Sequence, residues 1–372
     1  MKKIMLCIVL IILGVTSASC SKAVSNEIPV IEYDTEEMLL NVEQRLEAIY
    51  TEDCVSFGFI PDLHYEDTIY YNSSTAKLVE DLNLIHKTYP ISAAYLGGDN
   101  IANSYNRSAL KRSIPKMISS FRAFDFPLHV LKGNHDDNSL RGRIENKNEA
   151  KVNAELTDAE LTELYNNSKA TGNDNALYSF TDFEPQKVRI IYLNSIDVPY
   201  ILDGKKIRYP GQWCYGYQQK QLEFFAKQAL NFSDKTDSGE WKVVILQHLT
   251  SATGFTDGTV YNEDVFWGIL DAFQKAESYN TPKSSGTGDF AVQLDVDYTQ
   301  QQPGIVVGII QGHLHRDKSS KVNQVNVIAT RKSGLLEEKQ LGYSMDIFTI
   351  DTKNNILYST RYGDGEDRQW EF

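Results

Sequence analysis

Cysteine is scarce, with four residues in a chain of 372. Cys7 and Cys20 lie at the N-terminus, which leaves Cys54 and Cys214 for the body of the protein. A single pair could bridge in an oxidising compartment, yet one pair in a chain this long is no disulfide scaffold, and both are expected as buried thiols. Positive charge is short as well: 37 Lys and Arg stand against 50 Asp and Glu, a formal net charge of −13. Such a chain repels long polyanions, and no run of basic residues offers a local patch, so a nucleic-acid polymer is not an expected partner. Small phosphoesters stay compatible if cations in the site dominate the local field. Beyond the N-terminus no apolar run reaches the ~20 residues a membrane helix needs, and there is no internal repeat.

The N-terminus itself is patterned. Lys2 and Lys3 precede an apolar stretch from Ile4 to Val15, followed by Ser17-Ala18-Ser19-Cys20. A basic start, a short apolar core and small residues before a cleavage point predict a signal peptide over 1–19. The small residues before Cys20 resemble a bacterial lipobox, with Ser17 where Leu is usual. That resemblance implies an acylated Cys20 and a lipoprotein held at a membrane, periplasmic or on the cell surface; ordinary secretion is the alternative. Residues 20–50 then read as tether and lead-in, and 51–372 as one catalytic domain with insertions at 138–175 and 250–303.

Five short motifs follow in order: Asp62-Leu63-His64, Gly98-Asp99-Asn100, Gly133-Asn134-His135-Asp136, His248 and Gly312-His313-Leu314-His315. Each comes just after an apolar run that reads as a strand, which would gather seven candidate ligands at one sheet edge: Asp62, His64, Asp99, Asn134, His248, His313 and His315. No cysteine lies among them, so the donors are nitrogen and oxygen, suited to Zn, Fe or Mn. Taken singly the motifs are weak; Gly-Asn-His-Asp alone could be only a turn. Together they hold five of the seven histidines, which scattered structural histidines would not do. His86 reads as the exposed end of a helix and His129 as a strand residue. Two divalent cations ~3.5–4 Å apart acidify a water and clamp a phosphoryl group, and the motif set predicts that chemistry.

Order and content of the motifs resemble the calcineurin-like metallophosphoesterases, whose signature is D-x-H, G-D, G-N-H-[DE], a later H and G-H-x-H, over about Val55 to His315. The resemblance implies an α/β fold, a metallo-dependent phosphatase-like four-layer α/β/β/α sandwich with two mixed sheets. It implies two divalent metal ions, with Asp62, His64 and His315 on the first, Asn134, His248 and His313 on the second, and Asp99 bridging. His135 would be no ligand but a catalytic donor beside the leaving group, oriented by a carboxylate, here Asp136. The implied activity is hydrolysis of a phosphate ester by hydroxide bridging the metals. The expected substrate is a small extracytoplasmic phosphodiester, with a phosphomonoester or a non-catalytic metal-binding surface lipoprotein as alternatives. His64 and Ala102 depart from the purple acid phosphatases, which have D-x-G and a tyrosine ligand there, and Asn103 stands where many members carry a second Asp.

Periodicity supplies the scaffold. Val55–Ile60, Ala93–Leu96 and Pro127–Leu131 read as strands, alternating with helical stripes over Ser74–Tyr89 and Leu110–Phe121 in which Pro115 marks a kink or late start. That alternation argues parallel β-α-β units with ligands outside the strand carboxyl ends. Later strands are expected at Ala176–Phe180, Val188–Asn194, Val243–Gln247, Ile305–Gln311, Val325–Ala329, Tyr343–Ile350 and Ile356–Tyr362, with helices at Gln218–Leu230 and Glu263–Glu277. Thr157 to Glu160 reads as a capping box. Arg141, Arg143 and Arg316 stand near the motifs as candidate phosphate contacts or as solvated surface. Trp213, Tyr215 and Tyr217 read as core or as a stacking surface.

Overall fold

Residues that alternate along each central strand separate onto two faces, and both faces are apolar. In Cys54–Ile60 (β1) and Ile91–Leu96 (β2) the side chains of Val55, Phe57, Phe59, Ala93 and Tyr95 enter one buried cluster, while Ile60, Ala94 and Leu96 enter another. A period of two with both sets buried is the mark of a strand covered on both sides. The computed structural model describes residues 35–67, 69–102, 106–139, 154–167, 176–204, 206–256, 258–283, 285, 288–333 and 344–372. The expectations for the signal peptide, Cys20, Asn103, Arg141 and Arg143 lie outside the described residues.

The first sheet comprises β1, β2, Leu128–Val130 (β3) and three strands from the C-terminal end of the chain. The second is built from Ser179–Phe183 (β4), Val188–Tyr192 (β5), Lys242–Leu246 (β6), Ile305–Gln311 (β7), Lys318–Val322 (β8) and Val325–Ala329 (β9). The C-terminal strands Met345–Asp351 (β10), Ile356–Tyr362 (β11) and Arg368–Glu371 (β12) return to the first sheet, whose order is β12-β11-β10-β1-β2-β3; the second runs β8-β9-β7-β6-β5-β4. Each has a parallel heart: β1 runs parallel to β2 and β2 to β3, and β9, β7, β6 and β5 are successively parallel. Antiparallel strands complete the edges.

Between the sheets lie Phe57, Phe59, Tyr95, Tyr192, Val244, Leu246, Val307, Ile310 and Phe348, with Phe57 stacked on Phe348 at 5.5 Å. The outer face of the first sheet is covered by Thr35–Glu47 (α1), Ile69–Thr88 (α2), Arg107–Phe121 (α3) and Asp158–Tyr165 (α4), through residues such as Val42, Leu82, Ile114 and Leu161. That of the second is covered by Gln219–Phe224 (α5), which runs on as a π turn over Phe225–Ala229, and by Glu263–Lys275 (α6). The molecule is therefore the expected four-layer α/β/β/α sandwich.

Several local expectations change. α1 occupies part of the segment read as tether and lead-in, and packs on the first sheet through Val42 and Leu46. α3 begins at an Asn106 cap that accepts from the Ala109 amide at 2.7 Å and passes through Pro115. Pro115 and Lys111 are exposed, so the carbonyl that loses its donor faces water. α4 opens on the expected capping box of Thr157 and Glu160. Segment 250–303, read as an insertion, contributes to the sandwich itself, because α6 buries Val265, Phe266, Ile269, Leu270 and Phe273 in the outer layer. Cys54 is a buried thiol as expected, but Cys214 is only half-buried. No helix among the described residues is long and apolar enough to cross a membrane.

Candidate metal centre

Five strands deliver the motifs to one edge of the sandwich: β1 ends before Asp62, β2 before Asp99, β3 before Asn134, β6 before His248 and β7 before His313. The loops are laced by backbone bonds. The Asp62 amide donates to Gly98 O at 2.9 Å, His64 N to Asp99 O at 2.9 Å and Gly312 N to His248 O at 3.1 Å, the last joining β6 and β7. Asp62, His64, Asp99, His313 and His315 all have φ between +44° and +67°. Left-handed backbone costs a non-glycine residue of order 1 kcal/mol, and five such residues persist because these bonds fix the turns.

The side chains form two groups with one member in common: Asp62, His64, Asp99 and His315, and Asp99, His248 and His313. His64 Nε2 lies 3.1 Å from His315 Nε2, which is 3.5 Å from Asp62 Oδ1. In the second group His248 Nε2 is 3.4 Å from Asp99 Oδ1, and Asn134 Oδ1 sits 2.9 Å from His248 Nε2 and 3.0 Å from His313 Nδ1. Asp99 Oδ2 faces His64 at 3.9 Å and His135 at 3.7 Å. Donors this far apart can share a cation at bond lengths of about 2.0–2.2 Å, and the two groups, with Asp99 in common, could hold two divalent ions. Among the described residues these are the only groups that meet that spacing.

Electrostatics divide the two groups, leaving His64 neutral and His248 holding a proton that a cation would displace. Burial pushes His64 down to about 4 despite the nearby Asp99 and Asp62. Burial also opposes charge on His248, but there the carboxylates of Asp99 and Asp62 prevail and hold it at about 9. His248 is fixed in tautomer by its Nδ1, which lies 3.0 Å from Gly97 O and donates to it, leaving Nε2 for a cation.

All seven expected ligands converge, and His135 stands at the rim, partly exposed, in edge contact with the His64 ring at 4.9 Å. Asp136 does not take the expected orienting role. It is fully buried, with Oδ1 accepting from the amides of Asn100 at 2.8 Å and Ile101 at 3.4 Å, and Oδ2 accepting from Gly133 N at 2.7 Å and Asn100 Nδ2 at 2.8 Å. It ties the Gly-Asp-Asn loop to the Gly-Asn-His loop from below, and burial lifts its carboxyl to about 7. Among the described residues, the carboxylate that faces the His135 ring is Asp99, with Oδ2 3.7 Å from Nε2.

Gln212, which motif reading passed over, places Nε2 3.4 Å from His135 Nε2, while its backbone amide donates to Ser139 Oγ at 2.9 Å. A Pro-Gly pair, Pro210-Gly211, turning a loop beside an aromatic cluster was the available signal. In that cluster Tyr217 stacks on Phe266 at 5.1 Å and Tyr215 packs edge-on to His313 at 5.8 Å, so both are core, whereas Trp213 is 47% exposed. Arg316 is exposed. His129 is buried on β3, stacked on Tyr95 at 5.1 Å. His86 is not an exposed helix end, because it is half-buried and its Nδ1 accepts from Ile91 N at 3.0 Å.

No protein-family model matches the chain, and no curated protein matches it. Among solved structures, a dimetal phosphatase from Danio rerio is similar over 85% of this chain and 98% of its own, at 13% identity and a TM-score of 0.57. The GAP50 anchor of the inner membrane complex of Plasmodium follows at a TM-score of 0.43, 13% identity, 86% of this chain and 89% of its own. The NAD nucleotidase of Haemophilus influenzae has a TM-score of 0.39 at 13% identity, over 84% of this chain and 49% of its own. The first of these likenesses defines a metallo-dependent phosphatase fold. That fold carries, at one edge of its two sheets, a nitrogen and oxygen donor set that could hold two divalent metal ions.

Proposed function

We propose that the protein hydrolyses a phosphate ester at this centre, with a small phosphodiester outside the cytoplasm as substrate. The observation that carries the reading is the pair of ligand groups sharing Asp99, with His135 beside them at the rim. When bound, two divalent ions acidify a water and screen the charge of the phosphoryl oxygens. The chain supplies the rest. Asp62, His64 and His315 would hold one ion and Asn134, His248 and His313 the other, and Asp99, common to both groups, accepts the His135 backbone amide at 2.8 Å. His135, fastened by that bond, presents its ring where a leaving oxygen departs and can donate a proton to it.

The diester preference rests on the openness of the rim, where His315 is exposed and His135 partly so; a monoester uses the same donors. The extracytoplasmic setting and the lipid on Cys20 rest on the sequence of the first twenty residues. A non-catalytic metal-binding lipoprotein is the second reading, and the intact ligand set and the placement of His135 count against it. Protein starting after Cys20, reconstituted in turn with Mn, Zn and Fe, should hydrolyse bis-aryl phosphates faster than mono-aryl phosphates. Asp99→Asn should lose metal and turnover together, and His135→Ala should lose turnover with metal retained. Silence with every metal and both substrate types would overturn the enzymatic reading, and a palmitate label absent from full-length protein would overturn the lipoprotein one.

A further inference from the structure

A cavity of about 170 Å³ opens beside the loop that carries Asn134 and His135, and its walls carry three carboxyl groups, Asp137, Glu155 and Asp158, against one lysine, Lys132. Lys132 at its base is 2% exposed and donates from Nζ to Asp158 Oδ1 at 2.6 Å and to Ile196 O at 3.1 Å. Asp137 and Glu155 line the same cavity. Asp137 has bonds of its own, Oδ1 accepting from Ser139 N at 2.8 Å. Glu155 does not: it is 4% exposed, and its Oε1 is buried with no hydrogen-bond partner. A buried carboxyl oxygen left unpaired costs of order 1–3 kcal/mol, a cost that a ligand donating a hydrogen bond or bringing positive charge would remove. The surplus is visible in the carboxyl groups themselves. Burial, with Asp137 repelling, lifts Glu155 to about 8; burial lifts Asp137; and burial, with Asp158 repelling, lifts Asp197 to about 6. One lysine ammonium among the three carboxyl groups of the lining leaves room for a second cation, whose charge would let Glu155 ionise.

That cation is not a bare metal ion, because the ligand atoms here do not gather at metal spacing, unlike those of the centre itself. The remaining wall is aromatic and aliphatic, with Tyr200 and Tyr209 beside Val198 and Pro199. Carboxyl groups and tyrosine rings lining one cavity suit an organic ammonium group. The cavity also adjoins the reaction centre. Asp137 follows His135 by two residues, and Asp137 Oδ2 sits 2.1 Å from where a Cβ on Gly211 would stand, next to the Gln212 that touches His135.

We propose that this cavity is a subsite for an ammonium group, primary or quaternary, carried by the alcohol portion of the phosphodiester substrate. The assignment rests on the phosphoesterase reading for its link to catalysis, though not for binding itself. The test compares 4-nitrophenyl phosphorylcholine and 4-nitrophenyl phosphorylethanolamine with the neutral 4-nitrophenyl ethyl phosphate on metal-loaded protein. The ammonium esters should show a KM lower by about tenfold or more, and Glu155→Gln should raise their KM at least tenfold further than that of the neutral ester. Tyr200→Ala, at a side chain 48% exposed and remote from core packing, should act in the same direction more weakly. Equal KM shifts for charged and neutral esters in both variants would overturn the subsite. Calorimetric titration with ethanolamine and with choline gives a readout independent of turnover. Saturable heat in the wild type, lost in Glu155→Gln, supports the subsite even if no ester is cleaved. Absence of heat overturns it even if bis-aryl phosphates are cleaved well.

Discussion

A single methyl group placed on Gly133 should unmake the metal centre without touching a ligand. A Cβ there would lie 1.9 Å from the Asp99 backbone nitrogen and 2.3 Å from Asp99 Oδ1, whereas ordinary contact begins near 3.4 Å. Nothing flexible can yield, because the nearest atom is backbone in the loop that joins β2 to the centre. The Gly133 and Asp99 loops must therefore separate by about 1.5 Å, while metal sites tolerate errors of only about 0.2 Å in donor position. The displaced residue is the one shared by both ligand groups, and its bond from His135 N is lost with it. Gly133→Ala should therefore fall from two bound ions per chain to one or none, measured by elemental mass spectrometry after dialysis against trace metal. Turnover of a bis-aryl phosphate should fall by about a hundredfold or more. Overpacking costs about 1–3 kcal/mol, so circular dichroism should still report a folded chain. Gly204→Ala is the control: φ is +66° at Gly204, but no atom lies within 4 Å of the new Cβ, so it pays backbone strain alone. Two ions and near-normal turnover in Gly133→Ala would refute the argument, as would equal metal loss in Gly204→Ala.

Other perturbations test separate links. His248 is held at about 9 by Asp99 and Asp62 against the effect of burial, and it can ligate only when neutral. Metal entry at pH 7 should thus release about one proton from His248, and affinity should fall up to ~tenfold per pH unit below 9; calorimetry in two buffers of different ionisation heat reads the proton count, and zero release would contradict the charge balance. His64, already pushed to about 4, should add nothing to that count. Arg361, fully buried on β11, reaches Asp317 Oδ1 at 2.6 Å on the second sheet's β7–β8 loop and Asp346 Oδ1 at 3.0 Å on β10. Arg361→Met should destabilise by about 3 kcal/mol, because it strands charge rather than removing a pair, and an unchanged denaturation midpoint would argue that the two sheets are not pinned there. Asp136→Asn should leave His135 chemistry in place but loosen the two loops it ties, lowering metal affinity by about 10–100-fold; loss of turnover at full metal occupancy would restore the orienting role to Asp136.

The parts of this molecule that could be read in advance are those where one residue type has one use. Seven N/O donors at strand ends leave little else to be, and the alternation of Val55, Phe57 and Phe59, with both faces buried, requires a layer on each side. Polar edges are different: β8, Lys-Ser-Ser-Lys-Val, and β12 carry no apolar period because one side of each faces solvent, and their pairing is set by neighbours far along the chain. The role of Asp136 was misassigned for a similar reason, since adjacency in sequence to His135 says nothing about which way a buried carboxylate turns; its partners Asn100 and Gly133 come from two different loops. Most telling is the backbone. Histidine at positive φ is uncommon, yet His64, His313 and His315 all adopt it, because a ring that must face inward from a turn has to leave the strand direction. The same requirement explains the small residues between them. Gly98, Gly133 and Gly312 each stand where a Cβ would strike His248 or an aspartate ligand, so the glycines of the motifs are as much part of the metal centre as its donors, holding space that the ligands need in order to meet.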